Sequence, residues 1–500
     1  MTTRRYPRVG GDGGQQGWNV GVPRLRVLES SEVEAVDQAT RDLLGRGGVD
    51  VHSSLARELL VGVGAEPVPG TFRIRIPDTV VTEALRKAPR QVLLASRDKR
   101  RDLHLPDGTS HVSTDGCGVN VWDLTSGARR PSTQNDLADL TRVADALDEV
   151  DLQWPMVVAG DVPVEIHELT ELAVTLENTT KHVQHEALSA SEAKTMVAMA
   201  ATIVGGVKEL RRRPILSSVQ CPVSPLTLEE HSTEAMIVLN RAGVPVAPLT
   251  MVLVGGSSPV DLASALVVSN AEILASICLA QAAAPAAPVF WAISSGPIDM
   301  RTGSFAAGSP ELGLLNAAGV EMARHYQLPT LVAGFSCDAD SVGVQAGVEK
   351  LGTGLPAMLA GADLISGIGG LDSDSCMGLE QLVLDAEIVG YARRSLEGFA
   401  VRPENIHLDT LIRLGPQGNF LKERHTLANF RRLLWSPRLF HRDGFVEDSA
   451  AEGRVRQRAV TRARELLRGH YPDPLPPEVR TALREKGGLP MPSARNAAAA

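Results

Sequence analysis

Aromatic side chains are scarce in this 500-residue chain, at 4% of the sequence, and cysteines number five. Those cysteines (Cys117, Cys221, Cys278, Cys337 and Cys376) lie far apart and form no C-x-x-C pair. A disulfide-stapled fold is therefore excluded, and reduced thiols in the cytoplasm are expected. An excess of positive charge is also lacking. The 59 acidic and 50 basic residues give a formal charge of −9, so no general basic field draws nucleic acid. After Arg4 and Arg5 the N-terminus is Gly-rich and polar where a secretory signal needs an apolar core. The longest apolar stretch, Ile273 to Trp291, contains Gln281, Pro285 and Pro288. It predicts a buried helix, a turn and a buried strand rather than a membrane span.

Several catalytic signatures are missing too. No G-x-G-x-x-G follows the first strand of the regular region, and no G-x-S-x-G elbow occurs. His182 and His185 are three residues apart, which on a strand directs them to opposite faces. They therefore make a poor zinc pair even with Cys221, and no metal is expected.

What is present is the composition of an ordinary globular protein, 43% hydrophobic and 22% charged. Residues 1–22, Gly-rich and polar, and 488–500, a small-residue tail, are expected to be disordered. Residues 23–130 read as an N-terminal extension, helical over Ser30 to Leu60 and Thr79 to Lys87, then β-rich from Val92 to Asp123. From 131 to 450 short apolar segments alternate with longer helical patterns, and 451–487 forms a C-terminal helical segment with a basic amphipathic stretch. The predicted strands are Gln153–Val158, His182–Ala187, Ile215–Cys221, Val246–Val252, Val289–Ser294, Thr330–Gly334 and Leu364–Gly367. This βαβ rhythm fits an α/β fold, a (β/α)8 TIM-like barrel behind a helical and short β-rich extension. Seven strands are visible; the eighth lies around Gly118 to Trp122 or near Leu411 to Leu414.

Catalytic groups of a barrel gather where strands end. The candidates by that rule are Trp154, Asp161, His182, His185, Gln220, Cys221, Met251, Ser294, Ser295, Asp299, Arg301, Ser336, Asp338, Asp372 and Asp374. Asp299 and Arg301, two apart in a turn-rich loop, form either a structural clamp or a substrate contact. In Ser366–Ser375, Gly369 and Gly370 can bring backbone amides close to a cofactor or ligand beside two carboxylates. The alternative is a plain βα turn whose Asp374 or Ser375 caps the next helix.

From about Arg24 to Arg442 the chain resembles the trimethylamine:corrinoid methyltransferase family, in particular its members that demethylate quaternary amines such as glycine betaine. The resemblance rests on Asp299-Met300-Arg301-Thr302-Gly303, Gly308-Ser309-Pro310-Glu311, Gln345-Ala346-Gly347-Val348-Glu349, Glu380 with Leu384-Asp385-Ala386-Glu387, and Gly415-Pro416-Gln417-Gly418-Asn419-Phe420-Leu421 with His425-Thr426. It implies methyl transfer from a small methylated amine to cob(I)alamin on a separate corrinoid-binding protein, and a homo-oligomer is expected. The chain itself has no D-x-H-x-x-G carrier motif: Asp102-Leu103-His104-Leu105-Pro106-Asp107-Gly108 misses it by one residue and reads as a hairpin turn. Pyrrolysine, carried in the active site by the archaeal trimethylamine enzymes of the family, is absent, and Gly334–Asp338 lies where that region is expected. A quaternary ammonium is therefore the expected substrate, with trimethylamine or a non-catalytic binding barrel as alternatives. The roles that follow are a cation–π wall from Trp154, Trp291 or Phe335, ammonium pairing by the catalytic candidates Asp372 or Asp338, and carboxylate pairing by Arg301 or His185.

Overall fold

Eight short segments lie side by side in parallel: β1 (His111–Thr114), β2 (Leu152–Gln153), β3 (His182–Glu186), β4 (Leu216–Val219), β5 (Val246–Ala247 and Leu249–Thr250), β6 (Trp291–Ile293), β7 (Thr330–Ala333) and β8 (Leu364–Ile368). β8 pairs with β1, Leu364 opposite His111 and Ser366 opposite Ser113, which joins the two ends of the chain of strands. Pro248 has no N–H to give, and β5 divides there, its first half pairing with β4 and its second with β6. The computed structural model describes residues 25–116, 118–442, 444 and 453–490, so residues 1–22 and 491–500 of the expected disordered ends, and Cys117, lie outside the described residues. The barrel belongs to a unit of residues 25–392 and 437 onward, and residues 393–436 form a second unit.

The missing strand is His111–Thr114, upstream of both expected positions. Gly118 to Trp122 instead contributes Asn120–Trp122 to a small separate sheet with Arg129–Pro131, Cys376–Gly378 and Gly370–Leu371. Leu411 to Leu414 lies in a helix, Leu408–Leu414. The barrel thus takes its first strand from the region read as an extension, before residue 131. His-Val-Ser-Thr is polar at its inward positions, His111 and Ser113, and lies among short strands before the regular strand–helix rhythm begins, so neither hydrophobicity nor periodicity marks it.

A helix follows each strand: α1 (Gln134–Ala146), α2 (His167–Asn178), α3 (Ala190–Val204), α4 (Glu230–Ala242), α5 (Leu262–Ala283), α6 (Pro310–Tyr326), α7 (Val344–Ala360) and α8 (Leu379–Leu396). α1 starts at a capping box in which Thr133 accepts from Asp136 N and Asp136 accepts from Thr133 N. α5 is apolar all round and long enough to cross a membrane, but most of it is buried. The N-terminal helices Ser30–Asp42, Ser54–Gly62 and Asp78–Lys87 pack against it, which gives its outer face an apolar partner. The Asn270 amide donates to Thr40 Oγ1 (3.0 Å) and Tyr326 Oη (2.7 Å) and accepts from Trp291 Nε1 (2.9 Å), tying β6 to that layer.

A hairpin, Val92–Leu94 with Leu103–Leu105, closes the N-terminal end of the barrel. Its apolar side chains join Leu152, Trp154, Val219, Leu249, Phe290, Ala292, Leu331 and Leu364 in one buried cluster. His182 at the start of β3 bonds Ala95 O (2.8 Å) and Ser217 Oγ (2.8 Å), and Arg213 pairs with Asp102 at 2.6 Å. The segment Asp102–Gly108 is thus a strand and turn at the floor of the barrel. Apolar filling at this end leaves the C-terminal end for chemistry.

Candidate active site

Register decides which side chains enter the barrel. Leu152 and Trp154 belong to the inner cluster, and His182 lies opposite Leu152. Period-two alternation then turns His182 and Gln184 inward and His185 outward toward α2. On β1, Ser113 is the partner of Leu152 and Ser366, so Ser113 and, two residues on, Asp115 fall on the inner side. Two of these polar groups have no partner: Ser113 Oγ and Gln184 Nε2, on side chains that are 0% and 1% exposed. Buried polar atoms are ordinarily satisfied, so these two leave hydrogen-bonding capacity unfilled inside the barrel.

The loop after β8 brings a second carboxyl to Asp115. Asp374 is hydrogen-bonded to the Asp115 side chain, and burial raises both carboxyls above their ordinary range. Asp115 is fixed by its own backbone, with Gly116 N donating to Oδ1 at 2.8 Å and Asp115 N donating to Ile368 O at 3.2 Å. Asp372, Ser373 and Asp374 all have positive φ (54°, 49° and 66°), a run that costs side-chain-bearing residues conformational energy. Neighbouring groups hold it: Arg129 pairs with Asp372 (2.6 Å), Ser373 Oγ donates to Asp338 Oδ1 (2.9 Å), and the amides of Asp372 and Ser373 donate to Ala339 O and Cys337 O. Asp338 is itself positioned by Glu349, whose Oε2 accepts from Asp338 N at 2.8 Å.

Beneath the loop lies an ion pair sealed from solvent. Lys350 Nζ is 3.0 Å from Asp385 Oδ2, both side chains 0% exposed, and it also donates to Phe335 O (2.8 Å) and Gly367 O (3.2 Å). Burial opposes charge on both partners. Asp385 nonetheless accepts from Gly369 N (2.6 Å), Gln381 Nε2 (2.7 Å) and Lys350, and with that many donors we take the pair as ionised, its lysine held above the ordinary range by the facing carboxylate.

Several residues expected at the site stand elsewhere. Trp291 is fully buried on the outer face of β6, over Gly319 of α6 and bonded to Asn270. Phe335 has φ +55° and packs its ring on Gly354 of α7, with no exposure. Trp154 alone of the three aromatic candidates lies inside the barrel. His185 contacts α2, its Nε2 bonded to Glu168 O (3.0 Å) and 3.8 Å from Glu171 Oε2. Burial pushes this imidazole down to about 4, so it is neutral and unsuited to pair with a carboxylate. Asp372 and Asp338 lock the two loops together rather than standing free for an ammonium.

Gly369 and Gly370 are required by close packing: a Cβ would meet Met156 Cε at 2.1 Å and Asp374 Oδ1 at 2.0 Å respectively. This loop is packed rather than flexible. Asp299 and Arg301 form the turn clamp, with Arg301 N donating to Oδ1 (2.8 Å) and Nη2 to Oδ2 (2.9 Å), and the arginine is 88% exposed. Arg301→Ala is therefore expected to leave thermal melting unchanged, since an exposed, solvent-screened pair adds little to stability. A loss of activity without a change in thermal melting would return the pair to the active site.

Sequence reasoning passed over Asp115, Gln184, Lys350 and the pairing of Asp385. A signal existed for Lys350, a lone lysine among the small buried residues Ala346, Thr353, Gly354 and Ala357 of α7. Among the described residues, no group of three or more His, Cys, Asp or Glu side chains is arranged to hold a metal ion.

A parallel eight-stranded barrel with buried polar groups gathered at its C-terminal mouth belongs to the architectural class whose enzymes act at that end. Comparison with known proteins narrows the class. The family model described as Trimethylamine methyltransferase (MTTB) matches residues 4–486. Trimethylamine methyltransferase MttB of Desulfitobacterium hafniense (strain DSM 10664 / DCB-2) is 32% identical over 92% of this chain and 93% of its own. MttB2 of Methanosarcina mazei is 34% identical over 91% and 93%, and the glycine betaine methyltransferase of D. hafniense (strain Y51) is 28% identical over 93% and 96%. The Methanosarcina barkeri monomethylamine methyltransferase (MtmB) structure superposes with a TM-score of 0.50 at 13% identity, over 87% of this chain and 92% of that one, a likeness of fold alone. The chain belongs to the trimethylamine methyltransferase family.

Proposed function

We propose that the protein moves a methyl group from a methylated amine, a quaternary ammonium in preference to trimethylamine, to cob(I)alamin carried by a separate corrinoid protein. The observation that carries the partner is a ring of exposed apolar side chains around the mouth. Val119, Val164, Leu188, Val223, Val260, Met300 and Val344 stand in, or on the first residue after, the connections that follow β1 to β7, one for each. Single exposed apolar residues are ordinary, but their recurrence in seven consecutive loops at one end of the barrel supports an interaction face there. Such a rim fits a carrier that covers the mouth and excludes water from it. Cob(I)alamin, delivered there, supplies the nucleophile that accepts the methyl group.

This chain's own residues would bind and orient the amine so that one CH3–N bond faces out of the barrel, and would tolerate the disappearance of its positive charge. Trp154 contributes an inward aromatic wall, worth about 0.5–2 kcal/mol against a cation. A quaternary nitrogen leaves as a neutral amine, whereas unprotonated trimethylamine would leave as an amide-like anion, and the chain has no pyrrolysine to activate it.

The test supplies cob(I)alamin and the cognate corrinoid protein and compares kcat/KM for glycine betaine, proline betaine, carnitine and trimethylamine by the loss of cob(I)alamin absorbance. At least one quaternary amine should exceed trimethylamine by about tenfold or more, roughly 1.4 kcal/mol in barrier. Trimethylamine ahead by the same margin would refute the substrate preference, and no turnover with any amine would leave a binding barrel without chemistry.

A further inference from the structure

We propose that Asp115 and Asp374, hydrogen-bonded to each other at the C-terminal mouth, seat the cationic nitrogen of the substrate, and that Gln184 holds an acceptor oxygen, hydroxyl or carboxylate, on the same molecule. The assignment rests on the methyl-transfer reading above and names the residues that would recognise its substrate. Two carboxyls in contact repel each other when both ionise, so we assign the pair one shared proton and one negative charge. Such a pair offers charge while asking for no donor. That suits a fully N-methylated cation, which has no N–H to give.

The nearest buried cation, Lys350, acts on both carboxyls from a distance, but its direct partner is Asp385 at 3.0 Å. Two unpartnered buried groups on the inner side of the barrel point to a ligand. Gln184 Nε2 is a donor without an acceptor on a side chain 1% exposed, and Ser113 Oγ, fully buried, lies on the inner side of β1 two residues before Asp115. The loop that presents Asp374 is fixed by the contacts of Asp372 with Arg129 and of Ser373 with Asp338, and by the amides of both residues donating to Ala339 O and Cys337 O. Trp154 stands alongside: its indole lies 2.4 Å from where a Cβ on Gly116, the residue after Asp115, would sit.

Calorimetric binding to the full chain tests this with choline, its neutral isostere 3,3-dimethylbutan-1-ol, and tetramethylammonium. Choline should bind at least about thirtyfold more tightly than the isostere. Asp115→Asn or Asp374→Asn alone leaves one carboxylate facing one amide, so each should keep that ratio within about threefold. The double variant removes the charge and should bring the ratio near one. Gln184→Leu should weaken choline and leave tetramethylammonium unchanged. A wild-type ratio near one, or a folded double variant that keeps the wild-type ratio, overturns the seat, and the wild-type ratio decides if the double variant does not fold. An intact ratio in a protein that transfers no methyl group would instead sink the reading above while leaving the seat standing.

Discussion

Lys350→Ala is expected to lower the unfolding free energy by about 3–5 kcal/mol, because it strands a carboxylate in the interior. Asp385 and Lys350 are both fully buried and face each other at 3.0 Å. Without the ammonium, Asp385 keeps two N–H donors but loses its only matching charge, and Phe335 O and Gly367 O lose theirs as acceptors. Removing both charges at once should be far milder, since a buried pair replaced by apolar side chains of similar volume is often neutral. Denaturant unfolding of Lys350→Ala and Lys350→Met/Asp385→Leu separates these terms. If the double variant is as unstable as the single one, the hydrogen bonds to the two carbonyls, rather than the charge pairing, hold this end of the barrel.

A second large effect should appear with pH. His111 at the start of β1 is buried, which would lower its pKa, but Asp151 at 3.4 Å and Asp107 at 3.0 Å outweigh burial and raise it from 6.5 to about 9. A raised pKa in the folded state gives stability that is fully present below about pH 6.5 and lost as pH rises through about 9. From 6.5 to about 9 the loss is on the order of 3 kcal/mol. Lys181 works the other way: burial pushes it from 10.5 down to about 8, so rising pH through that window relieves a penalty on the folded state. The quantity to measure is therefore the difference between wild type and His111→Gln in denaturant unfolding at pH 6, 7.5 and 9.5. It should shrink steadily with pH. A constant difference would mean that His111 is not charged in the folded protein.

Seven of the eight strands could be read from the chain because each is followed by a helical pattern bounded by turn residues, even β3, whose inward positions His182 and Gln184 are polar. The eighth, equally polar at His111 and Ser113, sits among the short strands from Val92 to Asp123 before that rhythm starts, and the missed strand took Asp115 with it. Trp154, Trp291 and Phe335 were candidates as aromatic side chains in or beside barrel strands, a description blind to which face they take. Alternation could have sent Trp291 outward, as it sent His185, once the inner position of Ala292 was known. Phe335 could not be placed that way, since its positive φ is a tertiary feature.

The family-like motifs were legible, but the structure gives several of their carboxylates scaffolding work. Glu349 holds Asp338 N, Glu387 accepts from the amides of Arg438, Leu439 and Phe440, and Glu380 pairs with Arg456 at 2.8 Å. Motif residues identify the family; the groups at the mouth follow from register and loop conformation, which short motifs do not encode.

The most direct measurement of the central claim is a balance of products. The protein, its corrinoid partner reduced to cob(I)alamin, and glycine betaine or another quaternary amine that binds would be mixed anaerobically, and the demethylated amine counted against cob(I)alamin consumed. Methyl transfer predicts one molecule of tertiary amine for each cob(I)alamin lost, and none when the corrinoid protein is withheld. Demethylated amine formed without the corrinoid protein, or cob(I)alamin lost with no amine product, would contradict it.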